Sequence, residues 1–203
     1  MSYTPLSDGE LAAVVTYLEM REPPAGEPPR STLQLRRFPE PTAEQYRALF
    51  RKVGAPWLWF SRLAMPDAEL LAIIRHPDVQ LFEVAAVEAV VGMIELDFRE
   101  PGECELAFIG LVPGLAGQGH GRWLLAEAVR LAWREGVGRV HVHTCSLDHP
   151  AALPAYLRAG FIPCKRAVER FPDPRLAGIL PRDCAPQVPL LGTLTSTEPP
   201  PLS

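Results

Sequence analysis

Apolar and polar residues alternate in TLQLRRF (32–38), the mark of a half-buried strand. A helical spacing takes over after Pro41-Thr42 and runs to about Arg51, with Tyr46, Leu49 and Phe50 on one side, until Gly54-Ala55-Pro56 stops it. WLWFSRL (57–63) is aromatic and has no clear period. PDAELLAII (66–74) predicts a second helix, with proline at its start, acids in its first turn and His76-Pro77 at its end. Three strand-like runs follow: VQLFEVAAV (79–87), AVVGMIELDF (89–98) and ECELAFIGLV (103–112). The turn signal Arg99-Glu100-Pro101-Gly102 makes them an antiparallel meander. Leu124, Leu125, Ala128, Leu131 and Ala132 then share one helix face. GRVHVHTC (138–145) reads as a strand, residues 150–158 as a helix and FIPCKRAVERF (161–171) as a last strand. Near the start, VVTYLEM (14–20) has strand propensity, and Ser7 is placed to cap a short helix from Asp8.

Composition adds boundaries to this pattern. The 203 residues, 47% of them hydrophobic, suffice for one domain with a full core. The 23 prolines are densest in EPPAGEPPR (22–30) and PRDCAPQVPLLGTLTSTEPPPLS (181–203), which read as linker and tail. The expected division is an N-terminal extension over 1–30, a domain over 31–175 and a tail over 176–203. A net charge of −4 without any Lys/Arg run argues against nucleic acid and mildly suits a cationic acceptor. No apolar run is long enough to span a membrane. Four widely spaced cysteines without a CxxC, and an N-terminus without a signal pattern, point to a cytoplasmic protein with reduced thiols.

The chemistry concentrates in GLAGQGHGRWLL (114–125), where Gly114, Gly117, Gly119 and Gly121 lie between a strand and a helix start. A helix N-terminus presents unpaired N–H groups, and glycines let a ligand reach them, so the combination suits a phosphate. The spacing fits neither of two common phosphate loops. No lysine with Ser/Thr follows the glycines, and Gly117-Gln118-Gly119-His120-Gly121 is not GxGxxG after the first strand of a parallel sheet.

ELAFIGLVPGLAGQGHGRWLL (105–125), followed by LDHPAALPAYLRAGF (147–161), resembles the acetyl-coenzyme A-binding region of the GNAT superfamily of N-acetyltransferases. Val112-Pro113 resembles the family's V-x-P step without its spacer, and Gly119 and Gly121 match the small positions of the Q/R-x-x-G-x-G/A loop. Ala152, Tyr156, Gly160 and Phe161 match the N-x-x-A-x-x-x-Y-x-x-x-G-F segment. Two positions depart: the loop's Q/R falls on Ala116 and the asparagine on His149. The resemblance implies an α/β (α+β) fold with a mixed, mainly antiparallel central sheet flanked by helices. It also implies transfer of an acetyl group from acetyl-coenzyme A to a primary amine.

Residue roles come with the resemblance. Gly110, Leu111 and Val112 would pair with the pantetheine arm through their main chains. Gly117, Gln118, Gly119, His120, Gly121 and Arg122 would hold the pyrophosphate, with His149 and Ala152 as further contacts. Without a side-chain donor at Ala116, weaker coenzyme binding is expected. Glu105 is the candidate base, with Glu103 and Glu95 as competitors, and Tyr156 the candidate acid for the leaving sulfur. Trp57, Trp59 and Phe60 are candidates for an acceptor pocket; nearby Arg62 reads as solvated, or else as a partner for a substrate carboxylate. Family members often dimerise, so the resemblance allows a homodimer. An acyl-coenzyme A-binding or regulatory module on the same fold, or an interaction protein using the proline-rich tail, are the rival readings.

His141, His143 and Cys145 share one strand face with His149 near, a set that invites a zinc reading. Ligands two apart on one strand seldom converge on one ion, and this strand is expected to be central and covered by helices. The reading is therefore no metal.

Overall fold

A computed structural model describes residues 3–192. Its seven strands form one sheet in the order β2-β3-β4-β5-β6-β1-β7. They are β1 (Glu10–Met20), β2 (Gln34–Arg37), β3 (Val79–Ala85), β4 (Val90–Asp97), β5 (Glu103–Leu111), β6 (Arg139–Cys145) and β7 (Ile162–Pro172). Every neighbouring pair is antiparallel except β5 with β6. The helices are α1 (Ala43–Gly54), α2 (Ser61–Ala64), α3 (Asp67–Ile74), α4 (His120–Ala132) and α5 (Ala152–Arg158), with 3₁₀ turns at Ala55–Trp57 and Pro113–Leu115. This is the mixed, mainly antiparallel sheet that the family resemblance implies.

Several local expectations change. No helix starts at Asp8; Ser7 and Glu10 close a turn through Glu10 N–H to the Ser7 carbonyl (3.0 Å), and β1 begins at once. The segment 10–20 is not an extension outside the domain, because β1 lies between β6 and β7 and buries Ala13, Val15, Leu18 and Met20. TLQLRRF shortens to the four-residue β2, and the aromatic run 57–63 becomes a 3₁₀ turn followed by α2.

The C-terminal stretch also folds back, where a free tail from residue 176 was expected. Buried Arg175 is paired with Asp173 (2.7 Å) and donates to the carbonyls of Cys184, Ala185 and Val188. These bonds satisfy a charge that burial would otherwise penalise. They hold Leu180 and Ala185 against Leu58, and Gln187 donates to the Pro56 carbonyl (2.7 Å). The last part of the proline-rich segment, 193–203, lies outside the described residues.

Two apolar layers cover the sheet. α4 and α5 pack on one face through Trp123, Leu124, Leu125, Ala128 and Tyr156 onto Leu18, Leu96, Leu106, Val140 and Val142. α1 and α3 cover the other face only over β3, β4 and β5, through Tyr46, Phe50, Val53, Leu70 and Ile74. α1 starts with a reciprocal capping box: Gln45 N–H donates to Thr42 Oγ1 (3.1 Å) and Thr42 N–H donates to Gln45 Oε1 (2.9 Å). The surface of β6 and β1 beside α1 is left open, so His141 and His143 are not covered by helices as expected; the His143 side chain is 48% exposed.

Placing β1 between two strands gives a sharp test. A protein beginning at residue 31 lacks a strand hydrogen-bonded on both sides and should show no cooperative thermal unfolding by circular dichroism. A melt like that of the full chain would mean that β1 is dispensable.

Candidate active site

The sheet opens between β5 and β6. The two strands are paired only at Glu103–Arg139, Cys104–Val140 and Glu105–His141, and then part. One cause lies in β5 itself. Glu95 of β4 faces Phe108 while Leu96 faces Leu106, so Ala107 is an unpaired extra residue, a β-bulge that turns the strand. A second cause is a wedge of aromatic rings. Trp59 packs on Phe50 and Phe108, and reaches the backbone of β5 at Gly110, where a Cβ would lie 2.6 Å from Val53 Cγ1 and 3.2 Å from the Trp59 ring. A Cβ on Gly54 would sit inside that same ring. Both glycines are therefore required by close approach rather than by turn geometry.

The parted strands leave a cavity of about 460 Å³, with the β5 segment 106–111 along one side. Gly110, Leu111, Val112, Gly117, Gly121, His149 and Ala152 all line it, as do Trp57, Trp59, Phe60 and Tyr156. Gln118, Gly119, His120 and Arg122 line a separate, shallower hollow with Pro29, Arg30, Ser31 and Thr32. Ser31 Oγ accepts from Leu33 N–H and lies 3.0 Å from His120 Nδ1, which ties the chain ahead of β2 to the start of α4. That hollow was not foreseen, because the prolines ahead of residue 31 carry no periodic signal.

The glycine loop lies between β5 and the start of α4. Gly117 and Gly119 take positive φ (78° and 82°), and Gly119 caps α4 without a side-chain hydrogen bond. A Cβ at Gly114, Gly117, Gly119 or Gly121 would meet nothing within 4 Å. These glycines leave open space beside helix N–H groups that lack intrahelical acceptors. Gln118 turns back and donates to the Gly114 carbonyl (3.1 Å).

Asp148 holds the far end together. Its Oδ1 accepts from Trp59 Nε1 (3.1 Å), and its Oδ2 accepts from Thr144 Oγ1 and Cys145 N–H (both 2.8 Å). Asp148 matches no position of the motif, unlike its neighbour His149, which packs edge-on to Trp57 and accepts from Ala151 N–H through Nδ1 (3.0 Å). Tyr156 is buried against Phe161, and burial, with the nearby Asp148 charge, pushes its phenol well above the usual range. It therefore keeps its proton at neutral pH. Cys145 also lines the cavity, but burial pushes its thiol up to about 11, so it is not a ready nucleophile.

The three candidate carboxylates stand in different places. Glu95 is fully buried, accepting from Tyr46 Oη and paired with Arg62 (2.6 Å), so it is not free to meet a substrate. This also corrects the solvated reading of Arg62, whose guanidinium is largely buried and lies over the Phe108 ring. Glu103 bridges Arg139 (2.7 Å) and His141 (3.5 Å). Glu105, at the last paired position before the strands part, contacts His143 Nδ1 (3.2 Å). The hydrogen bond from His143 holds the Glu105 carboxyl below its ordinary range and raises the imidazole above its own. Among the described residues, no three His, Cys, Asp or Glu side chains converge as a metal site. No described helix is long and apolar enough to cross a membrane.

The fold recurs in solved structures. A GCN5-related N-acetyltransferase from Sphaerobacter thermophilus superposes with a TM-score of 0.56 at 20% identity, over 82% of this chain and 52% of that one. An acetyltransferase from Thermus thermophilus gives 0.50 at 18% identity, over 70% of this chain and 97% of that one. An aminoglycoside acetyltransferase from an uncultured soil metagenomic sample, in complex with sisomicin, gives 0.51 at 18% identity, over 64% and 88%. The chain thus spans about half the length of the Sphaerobacter protein, and at these identities the likeness is one of fold. No curated protein sequence matches it. The acetyltransferase (GNAT) family profile matches residues 39–161, from the approach to α1 through the parted strands to the end of α5, and the chain belongs to that family.

Proposed function

We propose that this protein is an N-acetyltransferase that moves an acetyl group from acetyl-coenzyme A to a primary amine. The observation that carries the reading is the run of one cavity from the free edge of β5, past the glycine-lined start of α4, to Tyr156. An extended pantetheine arm has amide donors and acceptors, and the edge of β5 beyond Glu105 has main-chain groups that β6 does not use. The open loop at 114–121 suits the pyrophosphate through backbone N–H groups, since Ala116 supplies no side-chain donor.

Transfer requires a deprotonated amine, a polarised thioester and a protonated leaving thiolate. Tyr156 serves the last step, its burial keeping the proton on until sulfur needs it. The Glu105 side of the sheet serves the first. Trp57, Trp59 and Phe60 form the acceptor wall, and Glu169 and Asp148 at the same cavity favour a cationic amine. An amine acceptor is in keeping with an aminoglycoside acetyltransferase among the fold neighbours. The missing donor at Ala116 favours a second reading, a coenzyme-binding module with little turnover. Release of free thiol from acetyl-coenzyme A above background when amines are added separates the two.

Calorimetric titration with acetyl-coenzyme A is the direct test of the reading, and one-to-one saturable binding is expected. Gly121 has ordinary helical geometry and open space at its Cβ, so Gly121→Leu should keep or raise the melting temperature. The same side chain should block the ligand and weaken coenzyme binding at least tenfold; unchanged affinity would move the pyrophosphate elsewhere. Tyr156→Phe should lower kcat roughly 10²-fold while leaving coenzyme affinity near the wild-type value. Wild-type turnover by that variant would return Tyr156 to a packing role.

A further inference from the structure

We propose that His143, rather than Glu105, is the group that takes the proton from the acceptor amine, and that Glu105 is a positioning residue acting through it. The proposal rests on the acetyl-transfer reading above and changes the assignment of its base.

The geometry separates the two side chains. His143 lines the cavity, together with Glu169, Asp148 and Tyr156, whereas Glu105 is not part of the lining. The imidazole Nδ1 lies 3.2 Å from Glu105 Oε1. With Nδ1–H donating to that carboxylate, the Nε2 lone pair is the ring's free acceptor. A carboxylate fixing the tautomer and steadying the imidazolium is a recurring way to make histidine a base. Register explains the placement. Glu105 is opposite His141 in the last paired step, and His143 is two residues further along the same face, where β5 has already moved away.

The electrostatics agree with the geometry. Glu105 is held below the usual carboxylate range, first by its hydrogen bond from His143, so it is a poor acceptor for an ammonium proton. His143 is raised, chiefly by the hydrogen bond to Glu105, and half exposed, so it can exchange its proton with water. The other groups facing it are Tyr17 of β1, with its ring 5.7 Å away and Lys165 of β7 over that ring, Asp148 after β6, Glu169 of β7, and His141 on its own strand. Asp148 and Glu169 add to the upward shift, though less than Glu105 does.

The ammonium gives one proton to His143 Nε2, and the freed nitrogen pair forms the C–N bond at the thioester carbonyl. The C–S bond breaks with its pair on sulfur, and Tyr156 protonates the thiolate. The second proton shed by nitrogen restores the Tyr156 phenol, and His143 returns its own to bulk water. The products are the amide, free thiol and one proton.

The test follows thiol release from acetyl-coenzyme A with 2-phenylethylamine as the acceptor probe, over pH 5 to 9. It uses wild-type protein, His143→Gln and Glu105→Gln, alongside NMR titration of the residue 143 imidazole in the wild type and Glu105→Gln. Wild-type kcat/KM should climb with pH through the imidazole titration. His143→Gln should bind coenzyme normally, lose that limb and fall roughly 10²-fold at neutral pH. Glu105→Gln removes the partner that favours the imidazolium, so both the NMR titration and the kinetic limb should move together to lower pH, with part of the rate kept. Wild-type turnover by His143→Gln, or an unmoved limb in Glu105→Gln, would overturn the proposal and leave acetyl transfer standing. Failure of the wild type to bind acetyl-coenzyme A would remove acetyl transfer itself, and this proposal with it.

Discussion

The structure turns on the parting of β5 from β6 after three paired residues. A parallel pair in mid-sheet would ordinarily continue, because unpaired backbone groups are costly when buried. Here the bulge at Ala107 and the aromatic wedge of Trp59 against Gly110 hold the strands apart. The opening stays accessible from outside, so solvent or ligand can satisfy the free edge. The cavity, the exposure of His143 beside it and the access of Tyr156 to it all depend on that one local failure of pairing.

The two sheet faces divide the work. Apolar packing under α4 and α5 is continuous from β3 to β1 and supplies most of the burial that holds the chain together. The opposite face is apolar only where α1 and α3 cover it. Beside them runs a polar row in which Arg139 joins Glu19 and Glu103, and His143 joins Glu105. Between these zones lies the buried group of Tyr46, Glu95 and Arg62, where each charge is compensated by its neighbours. A carboxylate so enclosed contributes to the shape of the wall under Phe108, not to proton traffic.

Much of the fold was legible because its elements obey simple periods. α1, α3, α4 and the meander β3-β4-β5 follow directly from spacing and turn residues. The position of the glycine loop was legible because four glycines separate a strand-like run from a helical one. The strand propensity of 14–20 is legible, but the place of β1 inside the sheet is not, because prolines at 23–24 and 28–29 cut it off in sequence while its partners come more than a hundred residues later. The fold-back at 173–188 hangs on a buried Asp173–Arg175 pair, and nothing in residue type marks an arginine as buried. At the site, the lining positions of β5, Trp59 and Tyr156 were readable. The role of Asp148 was not, because its partner Trp59 is 89 residues away. The pairing of His143 with Glu105 was hidden for the same reason, since it depends on strand register rather than on spacing.

The segment matched by the family profile ends at Phe161, yet Val15, Glu169 and Phe171 also line the cavity, and Phe171 packs at a tilt on Phe60. One end of the opening is thus built by chain from before and after the shared segment, while the other is built within it by the glycine loop. The walls of one opening are therefore drawn from different stretches of the polypeptide. The shape and charge of that end can then change through β1 or β7, by drift or by engineering, with the glycine loop untouched.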